Sequence, residues 1–305
     1  MLAARQTYTG AAAPCLKHTV YRCYSVLPCR RSSNSRCSSG RRSLQVSAVF
    51  SSSTSNPAFT FGKVDSALAE SRRGGQPMTM DGTVNKAGLL LGCSILTAAY
   101  TWMQIFSGNG AAAVAALNVA KISGMVGMAA AVTSMFKPQW SQYTAPVYAL
   151  CKGVALAGMS AVLEMMYPGI AMNAVLLTFS TAASLFVALK TRIITITDRF
   201  ADTVRAVTGG YFVAIMLVFL GSLVGLRLPG LFSGGPLSIC VHMVAAGLAA
   251  ANLLLDFDMI ERMSYQRLPK WMEWYGAQSL MLTLVWMYTE VLQLLWMFAG
   301  GRRDD

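Results

Sequence analysis

Charge is scarce in this chain. Asp, Glu, Lys and Arg make up 12% of its 305 residues, against about 25% in an ordinary soluble domain. Hydrophobic side chains make up 54%, and they crowd into long runs after residue 86. A soluble core of this size does not need such continuous runs, whereas a bilayer does. Histidine is scarcer still, with only His18 and His242 present. That excludes the histidine-rich metal centres of membrane desaturases and hydroxylases. There are seven cysteines but no Cys-x-x-Cys, so neither a zinc site nor a dithiol redox site is indicated. Cys93, Cys151 and Cys240 stand singly in apolar runs. No motif calls for a cofactor.

Acid is absent from the first 64 residues, which nevertheless hold nine Lys or Arg. Most of the net charge of +12 therefore belongs to the N-terminus, and it does not indicate a nucleic-acid partner. The same stretch lacks the apolar core of a secretory signal. Its Ser-, Ala- and Arg-rich composition predicts an organellar transit peptide over residues 1–48. Val-Ser-Ala48 before Val49 is a candidate cleavage context. The Ser content favours a chloroplast, thylakoid or inner envelope, with the mitochondrial inner membrane as the alternative. Residues 49–86 are polar and rich in Ser, Gly and Pro, and predict little fixed structure.

Seven apolar runs follow, at about residues 87–106, 111–136, 146–166, 170–189, 206–226, 237–255 and 275–299. Each is near the ~20 residues that a helix needs to span hydrocarbon. The expected fold is an all-α integral membrane protein, with seven transmembrane helices over 87–299 and a short charged tail over 300–305. Short connections make sequential spans antiparallel. Small residues such as Gly124, Gly153 with Ala157, and Gly221 with Gly225 predict close helix approach. Lys and Arg gather on the N-terminal side of the bundle, which the positive-inside rule places in the stroma, or in the matrix of a mitochondrion.

Ionisable groups at membrane depth are costly and mark functional sites. The sixth run ends Asn252-Leu-Leu-Leu-Asp256-Phe-Asp258-Met-Ile-Glu261-Arg262. Asp256 is the deepest of these acids. Asp258 and Glu261 share a face three residues apart and also suit a solvated helix end with local ion pairs. Glu290 lies within the seventh run with no cation within ten residues of it. Such a carboxylate must face the bundle interior, find a partner or stay protonated. Lys121 and Lys152 also fall in spans, and Lys152 is a candidate counter-ion. Glu164 precedes Met-Met-Tyr-Pro-Gly, near the opposite surface.

Two stretches, Asp256-Phe-Asp-Met-Ile260 and Met287-Tyr-Thr-Glu290-Val-Leu-Gln-Leu-Leu, resemble the last two helices of the Bax inhibitor-1, or transmembrane Bax inhibitor motif, family. Asp81-Gly-Thr-Val-Asn-Lys86, Glu164-Met-Met-Tyr-Pro-Gly-Ile and Lys270-Trp-Met-Glu-Trp-Tyr resemble its bacterial-type YccA-like branch. The resemblance covers about residues 78–298. It implies a compact bundle with a central last helix, and a pH-sensitive Ca²⁺ leak gated by paired acids on the last two helices. Asp256 matches the first acid. Glu290 matches the second, with Glu in place of the usual Asp. The two would form a transient Ca²⁺ or proton site, with Asp258, Glu261 and Lys152 as gating or polar-network residues. The long connection after Glu261 departs from the family's pattern. Either the seventh span starts late, after an interfacial 270–275 segment, or the two acids do not meet directly.

The expected function is thus a non-enzymatic cation leak or transporter in a lipid bilayer, carrying Ca²⁺ or protons. One alternative is a non-transporting factor for membrane-protein assembly or stress protection, with membrane-protein partners. The other is an intramembrane serine protease using Ser160, in Gly158-Met-Ser160, and His242. His242 also reads as a hydrogen-bonded core residue.

Overall fold

The computed structural model describes residues 76–191, 193, 196–223 and 236–300. The stretch expected to be a transit peptide, most of the polar segment after it, the Gly- and Pro-rich loop before the sixth span and the charged tail all lie outside the described residues. Seven helices follow one another: α1 (Met80–Ile105), α2 (Gly110–Phe136), α3 (Ser141–Met166), α4 (Ile170–Lys190), α5 (Asp198–Leu223), α6 (Pro236–Tyr265) and α7 (Met272–Gly300). All seven are long and apolar enough to cross a membrane, so the protein is an integral membrane protein of the all-α class.

Local chemistry sets the ends of these helices. Thr79 caps α1 by accepting the Gly82 N–H at 3.1 Å, and Asn109 caps α2 through Ala111 at 3.2 Å. Lys137-Pro138 closes α2, and a single 3₁₀ turn over Pro138–Trp140 leads into α3. Glu164 reaches past the next turn to accept N–H from Gly169 and Ala171 at 2.6 and 3.0 Å. It thereby places an anion at the start of α4.

Three helices extend well past their apolar runs. Helix α1 begins at Met80, inside the stretch expected to lack fixed structure. Helix α5 begins at Asp198, inside the charged connection, and α6 continues to Tyr265. A hydropathy window detects the hydrocarbon layer, whereas a helix continues into the interface as long as its backbone bonds are satisfied. Helix α7 also starts early, at Met272, so the interfacial segment expected over 270–275 is largely helix.

The seventh helix is the axis of the bundle, packing against α1, α3, α4 and α6. It carries the longest roll of buried residues, from Met272 to Met297. Helix α2 lies outside, on α1 and α3, and buries only Ala120, Gly127, Ala131 and Ser134. Lipid offers no hydrophobic drive between helices, so contact depends on close packing. Gly153 shows this directly. A Cβ there would run into the Ser94 carbonyl oxygen and the Thr97 hydroxyl of α1. The same contact lets Thr97 donate to the Leu150 carbonyl across the helices at 3.2 Å.

Candidate functional site

Helices α6 and α7 run antiparallel, and their register sets which polar side chains meet. Asp256 is wholly buried on α6. It accepts from the hydroxyls of Thr283 and Ser279 on α7, at 2.5 and 3.3 Å. One turn before Asp256, Asn252 donates its amide to the Thr208 hydroxyl of α5 at 2.7 Å and to the Leu248 carbonyl at 2.8 Å. Three helices are thus joined by buried polar groups at one level.

Glu290 lies further along α7, 6% exposed. Its carboxylate accepts from Tyr211 of α5 at 2.9 Å and from the indole N–H of Trp286 at 3.0 Å. His242 of α6 approaches its other oxygen through Nδ1 at 2.6 Å. Tyr211 stacks on Trp286 with ring centroids 5.7 Å apart, which seats the phenol. A buried carboxylate lacking partners is penalised by several kcal/mol. Here three donors from three helices meet that requirement.

Asp256 and Glu290 therefore do not share one station. Thr283, which holds Asp256, is two turns from Glu290, a rise of about 10 Å at ~1.5 Å per residue. Each acid has its own donors. The basic group beside Glu290 is His242, whereas Lys152 points its ammonium at the Tyr148 ring, 5.8 Å from the centroid. Lys121 is exposed on the outer helix α2. Asp258 pairs with Arg262 at 2.7 Å near the end of α6, and Glu261 is exposed there. Ser160 bonds Tyr288 at 2.8 Å and the Leu156 carbonyl at 2.7 Å, so its hydroxyl and the His242 ring belong to different clusters.

One buried acid did not stand out in the sequence. Glu273 opens α7 and is 2% exposed. It accepts from the backbone and hydroxyl of Thr79 at 3.0 and 3.1 Å, and from Lys86 of α1 at 2.5 Å. Gly82 is required beside it, because a Cβ there would overlap the Glu273 carboxyl group. The Lys86 ammonium also lies 5.1 Å from the Trp274 ring centroid. Ahead of α1, Met78 donates to the Leu268 carbonyl at 2.6 Å, and Lys270 donates to Gln76 at 2.7 Å. The Asp81–Lys86 and Lys270–Tyr275 motifs are therefore two halves of one clasp. The available signal was the presence of one Lys and one Glu in two separate motif stretches. Tyr211, Trp286, Thr208, Ser279 and Thr283 gave no comparable signal, because hydroxyls and indoles are common in apolar helices.

Fold and site together define a multi-pass helical membrane protein whose last two helices carry sequestered acids. The chain belongs to the Bax inhibitor 1 like family, whose model matches residues 47–300. No curated protein and no solved structure matches it.

Proposed function

We propose that this protein is a pH-sensitive ion path through an organellar membrane, gated by the carboxylates of Asp256 and Glu290. The observation that carries the reading is the Glu290 node. A carboxylate deep in a bundle is bonded to α5, α6 and its own helix, and one partner is a histidine. Histidine is the side-chain type whose charge ordinarily changes between pH 5 and 8. Protonation and deprotonation of this group would tighten or loosen three helices at once. The family resemblance supports a small cation, Ca²⁺ or H⁺, as cargo. The acid-free, Ser- and Arg-rich N-terminus supports import into a chloroplast, with the N-terminus stromal. The motif set supports the YccA-like branch. The role is non-catalytic, and the engagement of Ser160 with Tyr288 supports a packing role for that serine.

The test is flux of Ca²⁺ and of protons into liposomes holding the purified protein, with Glu290→Gln and Asp256→Asn beside the native chain. The expected result is flux that changes with pH and is lost in both variants. Native flux in both variants would falsify gating by these acids. A protein that moves neither ion and purifies with a stoichiometric membrane partner would instead be an assembly factor.

A further inference from the structure

We propose that a cleft between α1 and α4 binds one acyl chain of a membrane lipid with an uncharged, hydroxyl-bearing headgroup, and that the headgroup lies at the Glu164 end. The proposal is independent of the ion path, because no residue of the Asp256 or Glu290 nodes lines the cleft. Helices α1 and α4 are not a packed pair; each rests on α3 and on α7. They are the two banks of a cleft of about 640 Å³ whose floor is α3 and α7. Ligand sites are commonly about 300–1,000 Å³.

The lining residues divide by exposure. Gly153, Ala157 and Ser160 of α3 are buried on the floor, whereas Ile95 and Met103 of α1 and Met172 of α4 are exposed on the banks. Gly153 and Ala157 keep the floor low, because they carry at most a methyl group. The cleft lies within membrane-spanning helices and opens sideways between two that do not close on each other. Its occupant therefore enters from the bilayer.

Length and polarity set the occupant's direction. On α1 the cleft runs from Leu91 to Met103, about 18 Å at ~1.5 Å per residue. That is little more than half of the ~30 Å hydrocarbon core, the reach of the chains of one leaflet. Met103 is near the end of α1 at Ile105, and Glu164 is near the end of α3 at Met166. One end of the cleft thus lies at a membrane surface and the other near the bilayer midplane.

Glu164 is the only charged residue lining the cleft among those described, and it stands at the surface end. Its carboxylate accepts N–H from Gly169 and Ala171, and its oxygens have lone pairs left for further donors. A lipid phosphate would meet this anion with no lining cation beside it, whereas sugar hydroxyls would find an acceptor. Deeper in the cleft the hydroxyl protons are spent. Ser160 donates to the Leu156 carbonyl, so Tyr288 donates to Ser160. Ser94 and Thr178 bond carbonyls of their own helices. Those levels suit methylene groups.

The experiment places the full chain in phosphatidylcholine liposomes containing a little monoglycosyl diacylglycerol with a photoactivatable diazirine at mid-chain. Labelled residues are mapped by peptide mass spectrometry. The expected result is saturable labelling of cleft residues such as Ile95, Ala98, Met172 and Val175. Ala98→Phe fills the cleft from α1 and should lower that labelling about tenfold. Unlabelled glycolipid should compete, and phosphatidylglycerol should compete far less. Labelling as heavy on the outer face of α2 as in the cleft means bulk lipid only and overturns the proposal. Unchanged cleft labelling in Ala98→Phe also overturns it. Equal competition by phosphatidylglycerol overturns the uncharged headgroup, and displacement by an isoprenoid quinone but not by glycolipid overturns the lipid as occupant. Should Ala98→Phe not purify as a folded protein, Val175→Trp narrows the cleft from α4, with the same expected loss.

Discussion

Two buried glutamates sit on the same helix and are held by different chemistry. Glu273 is paired with Lys86 and with donors on and beside Thr79. The Lys86 ammonium bonds the Glu273 carboxylate directly, a pair of full opposite charges that joins α1 to α7. Glu290 is paired with a histidine, a phenol and an indole. The first arrangement locks α1 and the preceding strap onto the start of α7. The second joins three helices through groups whose protons can move. Burial alone therefore does not distinguish membrane carboxylates; the chemistry of their partners separates the cation-paired clasp from the node proposed as a switch.

The largest effect is expected at the clasp. Lys86→Ala leaves Glu273 buried without its cation, and breaking such a pair costs about 3–5 kcal/mol. Thermal unfolding in detergent should show a large drop in midpoint, and an unchanged midpoint would mean the clasp is not structural. Gly82→Ala comes next. It forces a methyl group into the Glu273 carboxyl group and should cost about 1–3 kcal/mol.

At the other glutamate the comparison predicts the reverse balance of flux and stability. His242→Gln keeps a hydrogen-bonding side chain beside Glu290 but cannot become charged. Its flux should lose the pH dependence proposed for the native protein. A native-like pH profile in this variant would show that His242 is not the sensor. Any stability loss should be no more than about 1–2 kcal/mol, the scale of one hydrogen bond. The smallest effect is expected at the end of α6. Asp258 and Arg262 form a part-buried i, i+4 pair, so Asp258→Asn should shift stability by no more than about 1 kcal/mol. A loss of flux in that variant would move Asp258 into the path.

The contrast between the glutamates was only half legible in the sequence. Glu290 stood out because no cation lies near it in the chain, and the long apolar run around it implied burial. Glu273 did not, because Lys270-Trp-Met-Glu-Trp-Tyr reads as an interfacial segment in which charge is cheap. Its burial depends on Met78, Thr79 and Lys86, which are close only after α1 folds back onto α7. Lys152 illustrates the opposite error of sequence reading. A lysine at membrane depth suggested a counter-ion, yet its helix turns it toward Tyr148 and the outer helix α2.

Hydropathy along the chain was enough to determine seven membrane-spanning helices and two deep acids at Asp256 and Glu290. Both follow from the cost of placing charge and unbonded backbone in hydrocarbon, a cost that acts on each segment by itself. Which side chains those acids meet was decided by tertiary structure alone. The antiparallel register of α6 and α7 puts Asp256 against Thr283 and His242 against Glu290, two turns apart. A hydrogen bond needs its partners within about 3 Å, and only the packed bundle sets that distance between residues far apart in the chain.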